Sequence, residues 1–474
     1  MPLAMSGLLV ITIGACAVLL LGLARPRLAY PAAQIFLAMA VVVELMTGNG
    51  LGRWWEGLFV QDAFAAFIKP VLLVVSMVVF LYGRPMASHW PQGEYYALGL
   101  MSVAGMLVMA SAGHLLTLFL GLELMSLALY AMVALDRDND MASEAAMKYF
   151  MLGGLSSGLL LYGFSLLYGM TGTLDLQQVA HILGGSVPMS MGLVVALTLT
   201  MAGAAFKLGV APFHMWLPDV YEGSPAAVTL FVGAAPKVAA LVLLARLIGQ
   251  GAQESTVIWQ PAMMVLSLVS MAVGSFGALW QQNIKRLLAY SAIAHMGFVL
   301  LGALAGGEAG YRAATFYMVS YAVMSTAAFG VVLLVCQMAQ TERIADYAGL
   351  AERSPWLAAV MMLTMFSLAG VPPLLGFMAK LEVIRAAVGV GAVRLAVLAV
   401  LFSVVAAYYY LRVVKVMYMD APSAALVRSP AVAAPGDIKL VLGLNGALLL
   451  LLGMMPAHIL DWCQHALQGF LLFR

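Results

Sequence analysis

Five ionisable side chains interrupt apolar runs that should carry none: Glu123, Lys207, Lys237, His295 and Lys380. Glu123 falls about ten residues into its run, which at 1.5 Å per residue is near mid-depth of a bilayer. An ionised group at the bilayer centre costs about 3 kcal/mol on insertion scales, so such groups persist in company or in water. Burial disfavours an ammonium and a nearby carboxylate restores it, so a buried Lys beside a movable Glu can take up and release a proton near neutral pH. Histidine is the natural shuttle in that range. The chemistry these five point to is a proton relay. Plainer readings stand beside it: Glu123 and Lys207 as a static ion pair orienting two helices, and His295 as a satisfied packing residue. Lys237 and Lys380 have no obvious partner, because Glu382, two residues after Lys380, points to another helix face.

Prolines place breaks beside these charges. Pro212 lacks an N–H and frees the carbonyl of Leu208, next to Lys207; Pro372 and Pro373 free Leu368 and Ala369, before Lys380. Non-helical backbone at this depth survives only when buried in protein or lining a wet cavity. A packing kink is the plainer alternative, and two breaks each near a Lys favour function. His214, just past the first break, reads as a half-channel mouth or a helix-end cap. His114 marks a span boundary, and Lys69, early in its span, is expected to snorkel. Asp461 and His465 share a helix face, but two ligands do not make a metal site.

The elements that hold these groups are membrane helices. Of 474 residues 64% are hydrophobic and only 9% charged, against about a quarter in a soluble domain. That excludes an ordinary globular protein and predicts an all-α polytopic membrane protein of about 14 spans. A net charge of +2 offers no surface for nucleic acid. Cys16, Cys336 and Cys463 are isolated, so neither disulfides nor cluster ligation is expected, and no cofactor or metal is assigned to this chain. No Lys or Arg precedes the first span, whereas Arg25 and Arg27 follow it, the reverse of a cleaved signal peptide. Counting alternate loops leaves Arg53, Arg246, Arg312, Arg385, Arg394 and Arg474 on one side and most other Lys and Arg on the opposite side. The positive-inside rule then places both termini on the periplasmic side of a bacterial inner membrane.

Two stretches echo each other. Gly209-Val210-Ala211-Pro212 returns as Gly370-Val371-Pro372-Pro373, a shift of 161, and Ala145-Ala146-x-x-Tyr149 as Ala313-Ala314-x-x-Tyr317, a shift of 168. The matches fall in equivalent members of two five-span units. Five is odd, so the second unit enters from the opposite face, the inverted-repeat plan of ion transporters. The predicted organisation is an N-terminal three-helix segment (1–93) and a first five-helix repeat (94–250, broken near 188–217). A second, inverted repeat (251–420, broken near 355–389) and a C-terminal helix and tail (421–474) complete it.

Longer strings carry a family resemblance. Leu120-Gly121-Leu122-Glu123-Leu124-Met125-Ser126-Leu127 and Ser143-Glu144-Ala145-Ala146-Met147-Lys148-Tyr149-Phe150 resemble the fifth and sixth helices of the antiporter-like membrane subunits of respiratory complex I. Phe206-Lys207-Leu208-Gly209-Val210-Ala211-Pro212-Phe213-His214-x-Trp216-x-Pro218-Asp219-Val220-Tyr221 is the most specific, and Asn283-Ile284-Lys285-Arg286-Leu287-Leu288-Ala289-Tyr290-Ser291 resembles the tenth helix. The resemblance covers roughly 90 to 420. It implies a non-redox, proton-translocating subunit of NADH:quinone oxidoreductase, with Glu123 and Lys207 as a coupled pair, Lys237 as central relay, His295 as link and Lys380 as exit group. Lys380 stands where subunit M of that complex carries Glu, and the long lateral helix of subunit L is missing. Flavin, iron–sulfur clusters, NADH and quinone would belong to partner subunits. The implied neighbours are the antiporter-like subunit M, the small subunits K and J, and membrane lipid. One departure is Leu374 after the prolines, where relatives often carry a small or hydroxylated residue. The alternative readings are a subunit of an Mrp-type cation/proton antiporter and one of a membrane-bound hydrogenase.

Overall fold

In hydrocarbon a chain must satisfy its backbone groups internally, and the computed structural model is accordingly built of helices. The structure describes residues 5–48, 50–185, 190–428, 434–468 and 470. Arg474 and the first residues of the span predicted from 188 lie outside them.

Three helices come first: α1 (Ser6–Ala24), α2 (Ala29–Thr47) and α3 (Ala63–Ala87). A two-stranded hairpin, β1 (Gly52–Trp54) and β2 (Phe59–Gln61), joins α2 to α3. The first repeat holds α4 (Gln92–Ala110), α5 (Leu115–Val133), α6 (Asp140–Thr171), a connecting helix α7 (Leu176–Gly185), the broken pair α8 (Met191–Leu208) and α9 (Trp216–Gly223), then α10 (Ala226–Gly233) and α11 (Ala235–Leu244). The second holds α12 (Thr256–Leu279), α13 (Ile284–Ala303), α14 (Gly307–Ala339), a short α15 (Leu350–Arg353), the broken pair α16 (Pro355–Ala369) and α17 (Leu375–Gly389), and α18 (Val393–Met419). The described chain closes with α19 (Ala424–Arg428), α20 (Gly436–Met454) and α21 (Ala457–Leu467). Among the described residues thirteen helical segments are long and apolar enough to cross a membrane, and α16 with α17 makes a fourteenth crossing.

The two repeats agree contact by contact. His114 and Asn283, 169 residues apart, each cap a helix by accepting from the N–H two residues on, at 3.2 and 2.8 Å. Their strand-like bridges also correspond, His114 to Asp175 and Asn283 to Arg343. Gly105 packs on the backbone of Gly121 and Met125; Gly274 packs at the same shift on Tyr290 and Ala294. A side chain at either glycine would force the helices apart. The shift falls to 161 at the breaks because the connector that carries α15 is shorter than the one that carries α7, and α16 has 15 residues where α8 has 18.

Interhelical contacts fix the direction of each repeat. The end of α4 lies at the hairpin face, where Ala112 bridges Phe59 and Arg246, just past α11, donates to the Ala110 carbonyl at 2.6 Å. Helix α12 therefore starts at the face where α4 finishes, and the second repeat is inverted. The described ends of the chain share that face, since Gly7 packs on Glu44 near the end of α2 and the Phe470 carbonyl accepts from Gln250.

Three expectations are corrected. Lys69 does not snorkel: it is 2% exposed and lies 3.4 Å from Glu44 of α2, which supplies the counter-charge that hydropathy alone does not reveal. Arg246 is not a loop residue: it is fully buried, clamped by both oxygens of Asp62 at 2.5 and 2.9 Å. The span read as 224–249 is interrupted between Gly233 and Ala235, with Pro236 opening the new helix.

Candidate functional site

Both broken helices stop in the same way. Gly209 (φ +77°) and Gly370 (φ +88°) adopt the left-handed conformation that ends a helix in a Schellman motif. Gly209 donates to Phe206 and Val210 to Ala205; Gly370 donates to Ser367 and Val371 to Phe366, every pair at a shift of 161. The prolines beyond cannot return a hydrogen bond, so carbonyls are left without helical partners.

Lysines take those carbonyls. Lys237 Nζ donates to the Leu208 carbonyl at 2.7 Å, the acceptor expected from Pro212. Lys380 Nζ donates to Leu368 at 3.1 Å and Ala369 at 2.8 Å, the two expected from Pro372 and Pro373, and to Ser403 at 2.7 Å. Glycine is required for more than its φ. A Cβ on Gly209 would lie 2.9 Å from Lys237 Nζ, and one on Gly370 3.2 Å from Lys380 Nζ. The two lysines do not correspond under the repeat. Lys237 reaches the first break from a separate helix, α11, whereas Lys380 belongs to α17, the second half of the broken helix it caps.

Glu123 and Lys207 are neighbours without being a direct ion pair. Glu123, half-buried on α5, accepts from Ser157 of α6. Lys207 Nζ donates to Ser126 at 2.9 Å and Tyr130 at 3.3 Å, one and two turns along α5 from Glu123. The static pair is therefore not what forms; two hydroxyls stand where it would close. Lys207 also precedes Leu208, so the residue whose carbonyl holds Lys237 is the next in the chain after Lys207. Trp216 braces this junction, donating to the Phe206 carbonyl at 3.0 Å with Lys237 Nζ 5.0 Å from its ring centre. Tyr149 stacks on Trp216 at 4.6 Å and Lys207 reaches Ser126, so three of the motif strings meet in one place.

His295 is buried on α13 with both ring nitrogens engaged: Nδ1 with Tyr317 at 2.7 Å and Nε2 with Tyr410 at 3.1 Å. Tyr410 meets Ser291 at 2.5 Å. His295 occupies the place in the second repeat that Ser126 holds in the first, 169 residues earlier. Lys380 approaches the same neighbourhood over the Phe298 ring, at 5.3 Å. Glu382 turns away from Lys380 to Arg385 at 2.9 Å and Arg312 at 3.7 Å. His214 sits in the turn after Pro212, where its carbonyl accepts from Leu217 and its Nδ1 has no partner. His114 is the helix cap already described; burial holds its imidazole below the ordinary value, opposed by Asp175.

At the face opposite the hairpin, Lys148 pairs with Glu144 at 2.7 Å and Asp219 at 2.9 Å, and Arg286 joins Asp219 at 2.9 Å to Glu222 at 2.7 Å. Lys285 pairs with Glu342 at 2.6 Å. These charges tie α6, α9 and α13 together below the buried row.

A model of the NADH:quinone oxidoreductase/Mrp antiporter transmembrane family matches residues 112–406, a stretch containing both breaks and Glu123, Lys207, Lys237, His295 and Lys380. The chain belongs to that family. Within the family it is 48% identical over 415 residues to NADH-quinone oxidoreductase subunit N of Thiobacillus denitrificans, covering 87% of this chain and 85% of the relative. It superposes on a chain of respiratory complex I from Thermus thermophilus with bound aureothin, at TM-score 0.82 and 32% identity, covering 96% of this chain and 98% of that one. A chain of the Mrp complex from Dietzia sp. has the same fold at TM-score 0.88 with 22% identity, covering 99% and 98%.

Several participants carry no charge and were not singled out from sequence: Ser126, Tyr130, Ser157, Trp216, Tyr317, Ser403 and Tyr410. Glu123, Ser126 and Tyr130 follow a three-then-four spacing, a helix-face signal that could have joined them.

Proposed function

We propose that this chain is the N-type membrane-arm subunit of a proton-translocating NADH:quinone oxidoreductase, moving protons along a midplane row of buried groups. The observation that carries the reading is the pair of helix breaks whose freed carbonyls hold lysines at mid-depth. A lysine bound to a carbonyl keeps a local partner in either protonation state, so it can lose and regain a proton without leaving a buried orphan. Relatives named subunit N supply the assembly.

In this reading Glu123 and Lys207 are the loading pair. A change of charge at Glu123 alters the hold on the Lys207 proton, which passes by water and hydroxyls to Lys237, through His295 and its tyrosines, and out by Lys380. Quinone reduction takes place in partner subunits that hold flavin, iron–sulfur clusters, NADH and quinone, and reaches this chain as a conformational or electrostatic signal. Subunits M, K and J are the proposed neighbours. The repeats occupy 94–250 and 251–420, and the hairpin face, with both termini, is periplasmic.

The first test is purification of the tagged chain from its native membrane in mild detergent. Co-purifying NADH:quinone reductase activity with flavin and iron–sulfur signals is expected; sodium-dependent proton exchange without a redox partner would replace this reading by the antiporter one. The relay is then tested by Lys237→Ala, which is expected to assemble and to lose most NADH-driven pumping. Unchanged protons per NADH in that variant would sink it.

A further inference from the structure

A second Glu–Lys pair lies outside both repeats. Glu44 and Lys69 are 1% and 2% exposed, on α2 and α3, with Glu44 Oε2 3.4 Å from Lys69 Nζ. Glu44 is three residues from the end of α2, so it lies within about one helical turn of the hairpin face. Three features separate it from a structural ion pair. Glu44 Oε2 is buried and accepts no hydrogen bond among the described residues. Lys69 has an alternative acceptor, Gln61 Oε1, at 2.6 Å. Space for the carboxylate is made by Gly7 of α1, where a Cβ would overlap Glu44 Oε1.

A true lock is present next door for comparison. Arg246, which cannot release its proton, is held by both Asp62 oxygens, the Ala110 carbonyl and Gln250. Asp62 follows Gln61 directly, so the lock and the looser pair are adjacent, and Arg246 lies nine residues beyond Lys237, about 14 Å along the same helical run. Among the described residues Lys69 is the charged group that faces Glu44, and Asp62 and Arg246 act on Lys69 in turn. Cys16 of α1 is about two and a half turns further along than Gly7, and Glu94, Tyr95 and Tyr96 of α4 sit at its opposite end.

We infer that Glu44 is a proton-exchanging carboxylate of the hairpin face, held by Lys69 and joined through Gln61, Asp62 and Arg246 to the helix that carries Lys237. A proton from that face binds Glu44 Oε2, and Lys69 remains an ammonium held by Gln61, to which it already donates. On release the carboxylate re-forms beside the Lys69 ammonium. The inference rests on the proposed relay only for its coupling to pumping, not for the exchange itself.

The test is infrared difference spectroscopy of the purified intact complex during a pH titration. A carboxylic-acid C=O band present in the wild type is expected to be lost in Glu44→Gln and in the neutral pair Glu44→Gln/Lys69→Met. Persistence of the full band in the neutral pair overturns the inference, and so does failure of both variants to assemble, which marks the pair as structural. Lys237→Ala separates the two claims: it abolishes pumping while leaving the Glu44 band, and unchanged pumping there sinks the relay without touching Glu44.

Discussion

Lys207 is held by two hydroxyls of unequal reach, and the difference is measurable. A hydrogen bond to a charged group is worth about 1.5–3 kcal/mol, and about 1.4 kcal/mol is tenfold in an equilibrium. Ser126→Ala, which removes the 2.9 Å partner, is expected to lower NADH-driven acidification by about tenfold in a complex that still assembles. Tyr130→Phe, removing the 3.3 Å partner, should have a smaller effect, and a pH-sensitive dye in sealed vesicles ranks the two. Charge made this part of the site legible: Glu123, Lys207, Lys237 and Lys380 stand out because ionisable residues are rare within their apolar runs. Their hydroxyl and aromatic partners do not disturb hydropathy and stay hidden among ordinary membrane residues. Glu44 escaped notice for a related reason, being near the end of its run where a polar residue looks like a boundary.

Helix ends carry the next set of expectations. Left-handed backbone costs about 1–2 kcal/mol for a residue with a Cβ. Gly209→Ala and Gly370→Ala should each destabilise the assembled complex by at least that amount in thermal melts. Gly209→Ala should be the worse, because its methyl group would overlap Leu217 and crowd Lys237, while at Gly370 the nearest atom is the flexible Lys380 Cδ at 3.0 Å. An equal or reversed order would show that the overlap with Leu217 does not set the difference. His114 gives a pH signature outside the membrane. Burial depresses its folded value, so the unfolded chain binds more protons and stability falls as pH drops through about 6.5. His114→Asn, which installs the side chain found at the equivalent cap, should flatten that slope. The proline breaks were readable because proline has a fixed chemical consequence. The hairpin and α7 were not, since short elements on the rim lack a sustained period, and the interruption at Ala234 lies inside an apolar run that hides it.

For the whole molecule, the proposed sidedness rests on an odd number of spans in each repeat together with the distribution of Arg and Lys. Leu51→Cys on the hairpin connection should react with an impermeant thiol reagent added outside intact cells, and Asp138→Cys on the opposite loop only after lysis. The reverse pattern would invert the direction assigned to the relay without altering the fold. The 14-span inverted plan was legible because two weak echoes fell in equivalent places, and the matching caps and bridges give those echoes a physical basis. What sequence could not supply was which lysine serves which break, because that depends on neighbours distant in the chain.

The non-equivalent lysines make the two breaks mechanically different. At the first, the side chain and its acceptor belong to separate rods, so any sliding of α11 along α8 must part the Lys237–Leu208 contact; it is a clutch that slips with relative motion. At the second, the anchor and both carbonyl acceptors lie within one jointed rod, and that grip travels with it when α16 and α17 shift as a body, leaving the Ser403 contact on α18 as the one to part. A displacement arriving from a neighbouring subunit would therefore break the lysine–carbonyl contact in the first half of the molecule and leave its counterparts in the second half closed.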